Sequence, residues 1–169
     1  MFLIYQFLII LILILSPIIL IIRFIKDKED TKRFIEKFCI ISKKRTKGNL
    51  VWFHAASVGE LMSIIPLIKK LEKSKKILQI IVTTSTTSSA GILKKLKFKK
   101  TIHIYYPYDS NFLTNKFIKI WRPQVAIFVD SEIWPNMFNN LDRKKIPLIL
   151  LNARITKKSF NRWKILKNF

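Results

Sequence analysis

Residues 50–60 read Leu50-Val-Trp-Phe-His-Ala-Ala-Ser-Val-Gly-Glu60: a short run of large apolar side chains closing on a histidine, a small-residue turn, then a carboxylate at the head of a stretch of helical length. A strand covered on both faces reads as a continuous apolar run rather than as an alternation. The same grammar recurs along the chain. Leu50–His54, Ile77–Thr83, Ile102–Tyr105, Val125–Val129 and Leu148–Leu151 are short and rich in β-branched or aromatic residues. Between them lie Glu60–Lys73, Ser88–Lys97, Asn111–Ile120 and Ile133–Lys145, each of helical length. Strand and helix alternating in this way predict an α/β fold, a doubly wound parallel sheet over residues 50–169. A further helix is expected to start after Thr156.

Upstream of the sheet, Met1–Ile22 carries no charged side chain. A helix of about 20 residues spans the ~30 Å hydrocarbon layer of a bilayer. A cleaved leader would show a basic start and a small-residue cleavage site, and neither is present. The segment therefore reads as an uncleaved, single-pass anchor, with a buried or surface-lying apolar helix as the alternative. Arg23, Lys26, Lys28, Lys32, Arg33 and Lys37 follow it and nothing basic precedes it, which places the body on the cytoplasmic side. Residues 23–49 read as a basic, partly amphipathic connector, expected to be helical.

The composition narrows the chemistry. Of 169 residues 50% are hydrophobic, which excludes a disordered tail. A single cysteine, Cys39, excludes a disulfide scaffold, and two histidines leave little for a metal site, so neither metal nor cofactor is expected. Thirty-two basic against ten acidic residues give a net charge of +22, a balance that attracts anionic substrates or acidic membrane surfaces. The excess is lysine rather than arginine, which argues against base-reading nucleic-acid recognition. A membrane-tethered module that binds anionic lipid or nucleic acid through its basic face remains the non-catalytic alternative.

Ligands of open parallel sheets bind beyond the carboxyl ends of the strands. Three of the ten acidic residues, Glu60, Asp130 and Glu132, fall at such ends. Glu60, at a helix N-terminus, is favoured in its ionised form by the helix dipole and is a candidate proton acceptor. It and Asp130 are equally readable as helix caps or first-turn charges. The hydroxyl run Thr83–Ser89 either cradles a phosphate on backbone amides or caps a helix. Dinucleotide and P-loop glycine signatures are absent. A triad of Ser57 and His54 with a carboxylate is conceivable but lacks the G-x-S-x-G elbow.

His54-Ala-Ala-Ser-Val-Gly-Glu60, Val82-Thr-Thr-Ser-Thr-Thr87, Tyr106-Pro-Tyr-Asp109, Asp130-Ser-Glu-Ile-Trp-Pro-Asn136 and Asn152-Ala-Arg154 occur in one order, each at a strand end. Together they resemble the N-terminal half of the 3-deoxy-D-manno-octulosonic acid (Kdo) transferases. The resemblance implies a GT-B glycosyltransferase: two Rossmann-like domains facing a cleft, the first binding the acceptor and the second the sugar nucleotide. It implies Kdo transfer from CMP-Kdo to a lipid A precursor (lipid IVA) at the cytoplasmic face of the inner membrane, in lipopolysaccharide biosynthesis. It makes Glu60 the general base and gives Asp130 the transition-state role of a residue that is glutamate in the family pattern. It puts Ser57, Glu132 and Arg154 on the acceptor side, with no nucleic-acid partner. No counterpart of the donor-binding domain is expected before Phe169.

Overall fold

A computed structural model describes residues 2–130, 132–153 and 157. Five strands, β1 (Leu50–His54), β2 (Gln79–Thr84), β3 (Thr101–Tyr105), β4 (Val125–Val129) and β5 (Leu148–Leu151), form one sheet in the order β3-β2-β1-β4-β5. Every pairing is parallel, with Trp52 opposite Ile81 and Ala126, and Ile127 opposite Ile149. Besides the N-terminal helix α1 (Phe2–Ile25), the helices are α2 (Val58–Glu72), α3 (Thr87–Lys95), α4 (Asn111–Trp121) and α5 (Pro135–Arg143). The doubly wound sheet anticipated from the apolar runs is present, with β1, β4 and β5 at the expected residues.

The pleat divides the core in two. Leu50, Trp52, Ile81, Ile104, Ala126 and Phe128 turn to one face, where they meet Phe117 and Trp121 of α4 and Met137 and Leu141 of α5. Val51, Phe53, Ile80, Val82, Ile127 and Val129 turn to the other, against Leu61, Ile64 and Ile68 of α2 and Leu93 of α3. Side chains of a strand alternate faces, so a central strand with both faces covered must be apolar throughout. β1 and β2 are buried at every position.

Helix starts are set by hydroxyl and carboxylate caps. Ser57, Thr86 and Ser110 each accept the backbone N–H three residues on, at the heads of α2, α3 and α4. α5 begins at Pro135, whose missing N–H costs nothing in the first turn. Its N-cap, Trp134, has no capping side chain; instead Asp109, from the loop after β3, accepts from the backbone N–H of Asn136 (3.0 Å) and Met137 (2.9 Å). The Tyr5 hydroxyl of α1 donates to the same carboxylate at 2.6 Å.

The connector departs from expectation. Apart from the end of α1 and a 3-10 turn at Phe34–Phe38, residues 26–49 form turns and irregular backbone. The Asp30 side chain accepts from the N–H of Lys32 and Arg33, a local bond that competes with helix. Cys39 ends the 3-10 turn in the left-handed region (φ 56°). The charges serve tertiary contacts: Glu29, almost fully buried, pairs with Arg23 (2.8 Å) and Lys37 (2.5 Å). Glu36 pairs with Arg33 at 2.8 Å and accepts the Tyr105 N–H of edge strand β3 at 3.0 Å. The apolar N-terminal segment is a helix over Phe2–Ile25, longer than expected and long and apolar enough to cross a membrane. The helix expected after Thr156 lies outside the described residues.

Replacing Asp109 by Ala strips an acceptor from three buried or half-buried donors and is expected to lower stability by about 3 kcal/mol, read from unfolding in detergent. The two histidines generate an acid effect. Burial, with Arg33 and Lys43 nearby, pushes His103 down to about 2, and burial also lowers His54. Each therefore favours its neutral form in the fold, whereas an unfolded histidine takes up a proton near its ordinary value of about 6.5. Their contribution is therefore complete above that value and declines as pH falls. From about pH 7.5 to about pH 5.5, His103 alone removes about 1.4 kcal/mol, and His54 acts in the same direction. A flat stability profile over that interval would contradict the buried neutral state.

Candidate functional site

In the order β3-β2-β1-β4-β5 the direction of winding reverses between β1 and β4, and a crevice opens beyond the carboxyl ends at such a point. The loops leaving these two strands carry the acidic residues singled out in the sequence.

After β1 the chain runs through Ala55 and Ala56 into α2. Ser57 Oγ accepts the Glu60 N–H at 3.3 Å and donates to Glu60 Oε1 at 2.7 Å, while the Ala56 N–H donates to Oε2 at 2.8 Å. This reciprocal arrangement resembles a capping box. Glu60 is thus a first-turn cap, and it is also a partly exposed carboxylate fixed in direction at the rim. Each oxygen accepts one bond and retains a lone pair for another donor. Gly59 lies within α2 at ordinary φ, and a Cβ there would meet nothing within 4 Å. Its contribution is open surface beside Glu60.

After β4 the two acidic residues diverge. Asp130 sits at φ 55°, in the left-handed region that aspartate tolerates better than most residues. Its N–H donates to Leu151 O at 2.8 Å, and its Oδ1 accepts from Asn152 Nδ2 at 2.6 Å, so it is tied to the end of β5. Glu132 turns toward β1. Its Oε2 accepts from Trp134 Nε1 at 3.1 Å and lies 3.7 Å from Nε2 of the fully buried His54. The His54 ring holds Glu132 below the usual carboxylate range, against the opposing effect of burial. Burial lowers His54, against the opposite pull of Glu132 and Glu60.

The structure therefore brings Ser57 into direct contact with Glu60, and sets Glu132 and Glu60 around His54. Asp130 is bonded instead on the β5 side, and Arg154 lies outside the described residues. The triad is not formed: the Ser57 hydroxyl serves Glu60, and His54 Nδ1 faces Thr83 Oγ1 at 3.0 Å. The hydroxyl run is largely absorbed internally. Thr83 Oγ1 accepts from Trp52 Nε1 (2.9 Å), Thr84 Oγ1 meets His103 Nε2 (2.8 Å), and Thr86 caps α3, which favours the cap over the phosphate cradle.

Two features were not legible beforehand. Asp109 closes a long-range contact with α5 that no local pattern announces. His54 stood out only as a triad partner, although its place at the end of β1 and before Glu60 was the available signal. Beside the rim, Ile9, Ile12 and Ile19 of α1 and Tyr106, Tyr108 and Trp134 border an apolar cavity of about 310 Å³, with Arg23 and Lys37 also on its wall.

Comparisons with known proteins converge on one family. Residues 32–169 match the model of the 3-deoxy-D-manno-octulosonic-acid transferase (kdotransferase) family. The chain is 38% identical over 165 residues to the 3-deoxy-D-manno-octulosonic acid transferase of Rickettsia bellii, an alignment covering 98% of this chain and 39% of that protein. It is 40% identical over 121 residues to the transferase of the same name in Rickettsia prowazekii (72% of this chain, 26% of the relative). With that of Haemophilus influenzae it shares 33% over 113 residues (67% and 26%). The chain thus spans well under half the length of these relatives. With a family model matched over most of its length and a doubly wound sheet, the chain belongs to the 3-deoxy-D-manno-octulosonic-acid transferase (kdotransferase) family.

Proposed function

We propose that this chain is the acceptor-binding half of a GT-B glycosyltransferase that moves Kdo from CMP-Kdo to a lipid A precursor. The observation that carries this reading is the Glu60 carboxylate, held by Ser57 and the Ala56 N–H at the mouth of the β1/β4 crevice with acceptor capacity to spare. In the reaction the acceptor sugar hydroxyl attacks the anomeric carbon of Kdo. Its proton passes to Glu60, and the bond to CMP breaks with its electron pair leaving on the nucleotide. Ser57 keeps the base oriented. Glu132 and Asp130 border the crevice from the β4 side, and Arg154 suits a phosphate of the acceptor through its bidentate donors. The donor is held by a second domain, for which the longer relatives have room.

The body is proposed to work on the cytoplasmic side of the inner membrane, attached through α1. Arg23, Lys26, Lys28 and Lys32 sit where α1 ends, and basic groups beside an apolar helix are drawn to acidic headgroups. A lipid acceptor that carries phosphates is anionic and is concentrated at the same surface.

In the complete transferase, Glu60→Gln is expected to lower Kdo transfer by about 10³-fold while leaving the fold intact, since the amide keeps the shape but cannot take the proton. Turnover near the wild-type rate would remove Glu60 from the base role. Asp130→Glu tests the departure from the family pattern. At φ 55° glutamate is less comfortable than aspartate, and the longer arm misplaces the bond to Asn152. The expected result is a stability loss of about 1 kcal/mol, measured by denaturation.

A further inference from the structure

His54 is the last residue of β1 and has no solvent exposure. Its ring lies 4.0 Å from that of Tyr106 and 5.0 Å from that of Phe128, with Trp134 at 6.2 Å. The hydrogen bonds decide where its proton sits. Thr83 Oγ1 accepts from Trp52 Nε1, so its own hydrogen is free to point elsewhere. The nearer acceptor is His54 Nδ1 at 3.0 Å, against Phe53 O at 3.3 Å. With that hydrogen directed at Nδ1, the imidazole proton belongs on Nε2. The opposite tautomer, with Nδ1–H donating to Thr83 O at 3.2 Å, would aim a bare nitrogen lone pair at the Glu132 carboxylate.

Nε2 is buried without a hydrogen-bond partner among the described residues, and the nearest charged atom is Glu132 Oε2 at 3.7 Å. That separation exceeds a hydrogen bond by roughly half an ångström. A buried donor left unmade is costly, and functional hydrogen bonds in unliganded sites commonly shorten when ligand seats. The hydroxyl of the adjoining Tyr106 is likewise buried without a hydrogen-bond partner among the described residues.

We propose that His54, as a neutral imidazole with its proton on Nε2, is a positioning residue that closes on Glu132 when acceptor binds and fixes this carboxylate toward a sugar hydroxyl. Trp134 Nε1 supplies the second donor to the same oxygen. The proposal extends the acceptor-site reading and names the chemistry of the subsite: a neutral hydroxyl donor. An acceptor-only carboxylate receives a hydroxyl and repels a phosphate, and Glu60 reinforces that selection from the β1 side. The phosphates of an acceptor are thereby directed away from the Glu60–His54–Glu132 cluster.

This chain contains two histidines, so ¹⁵N-histidine NMR in detergent micelles resolves two rings. The groups facing His54 are Thr83, Tyr106, Phe128, Trp134, Glu132 and Glu60. The expected spectrum shows a neutral, Nε2-protonated His54 through about pH 5.5–8, with Glu132→Gln moving the His54 signals and leaving those of His103 in place. A Nδ1-protonated ring, or a ring indifferent to Glu132→Gln, overturns the proposal. In the complete transferase, His54→Phe is expected to raise the acceptor KM about tenfold or more, and His54→Gln, which restores an N–H near Nε2, to recover much of it. A folded His54→Phe enzyme with unchanged acceptor KM also overturns it. Should His54→Phe fail to fold, the NMR comparison on wild type and Glu132→Gln decides alone. A complete enzyme that transfers no Kdo at all would refute the proposed reaction and leave the His54–Glu132 test standing.

Discussion

The pairing of β1 with β4 is the constraint on which the rest of the molecule depends. Val51 opposite Val125 and His54 opposite Phe128 set the register, and β4 runs one residue beyond the end of β1. A parallel ladder sends every strand's carboxyl end to one rim. At the centre of this order the chain leaves β1 and β4 toward opposite faces: α2 follows β1 into one layer and α5 follows β4 into the other. The crevice between them is a consequence of topology, and the loops that border it are where Glu60 and Glu132 sit. A slip of one residue between β1 and β4 would turn every core side chain of either strand to the wrong face and separate those carboxylates.

A chain with ten carboxylates and a charge of +22 places nearly all of them to some end. Asp30 and Glu36 stitch the connector to Tyr105 of the sheet edge, and Glu29 joins Arg23 to Lys37. Glu72 receives the backbone N–H of Lys99 and Lys100 and the Thr101 hydroxyl, and so anchors the start of β3. Asp109 caps α5 and receives Tyr5 of α1, which ties the apolar helix to the same rim. Against that background, three acidic residues gathered at strand ends are conspicuous. Among them the surroundings impose a division: Glu132 is half-buried beside an imidazole, whereas Asp130 is bonded to Asn152 and stands in a backbone conformation that suits aspartate.

Much of this was legible in the sequence because burial on both faces forces uninterrupted apolar strands, and a helix between each pair forces them parallel. β4 and β5 fell where expected. β2 begins later than expected, at Gln79, whose side chain is pinned by the Thr46 N–H and Lys44 O, a contact outside any local pattern. The connector is irregular rather than helical, because Glu29 and Glu36 have tertiary partners that charge spacing alone does not reveal. Glu60 was legible as a first-turn charge because helix capping is local in sequence, whereas its bond to Ser57 came from the structure. The coupling of His54 to Glu132 was not, since 78 positions of chain separate two residues that only the β1–β4 pairing brings to 3.7 Å.

The proposed chemistry of the rim rests on a carboxylate fixed in direction yet open to a further donor, and a structure of the complete transferase with acceptor bound would test that most directly. The reactive sugar hydroxyl should lie within about 2.6–3.2 Å of a Glu60 carboxylate oxygen, with the Ser57 and Ala56 bonds still in place. A hydroxyl seated elsewhere, with Glu60 still occupied only by its own loop, would contradict the account.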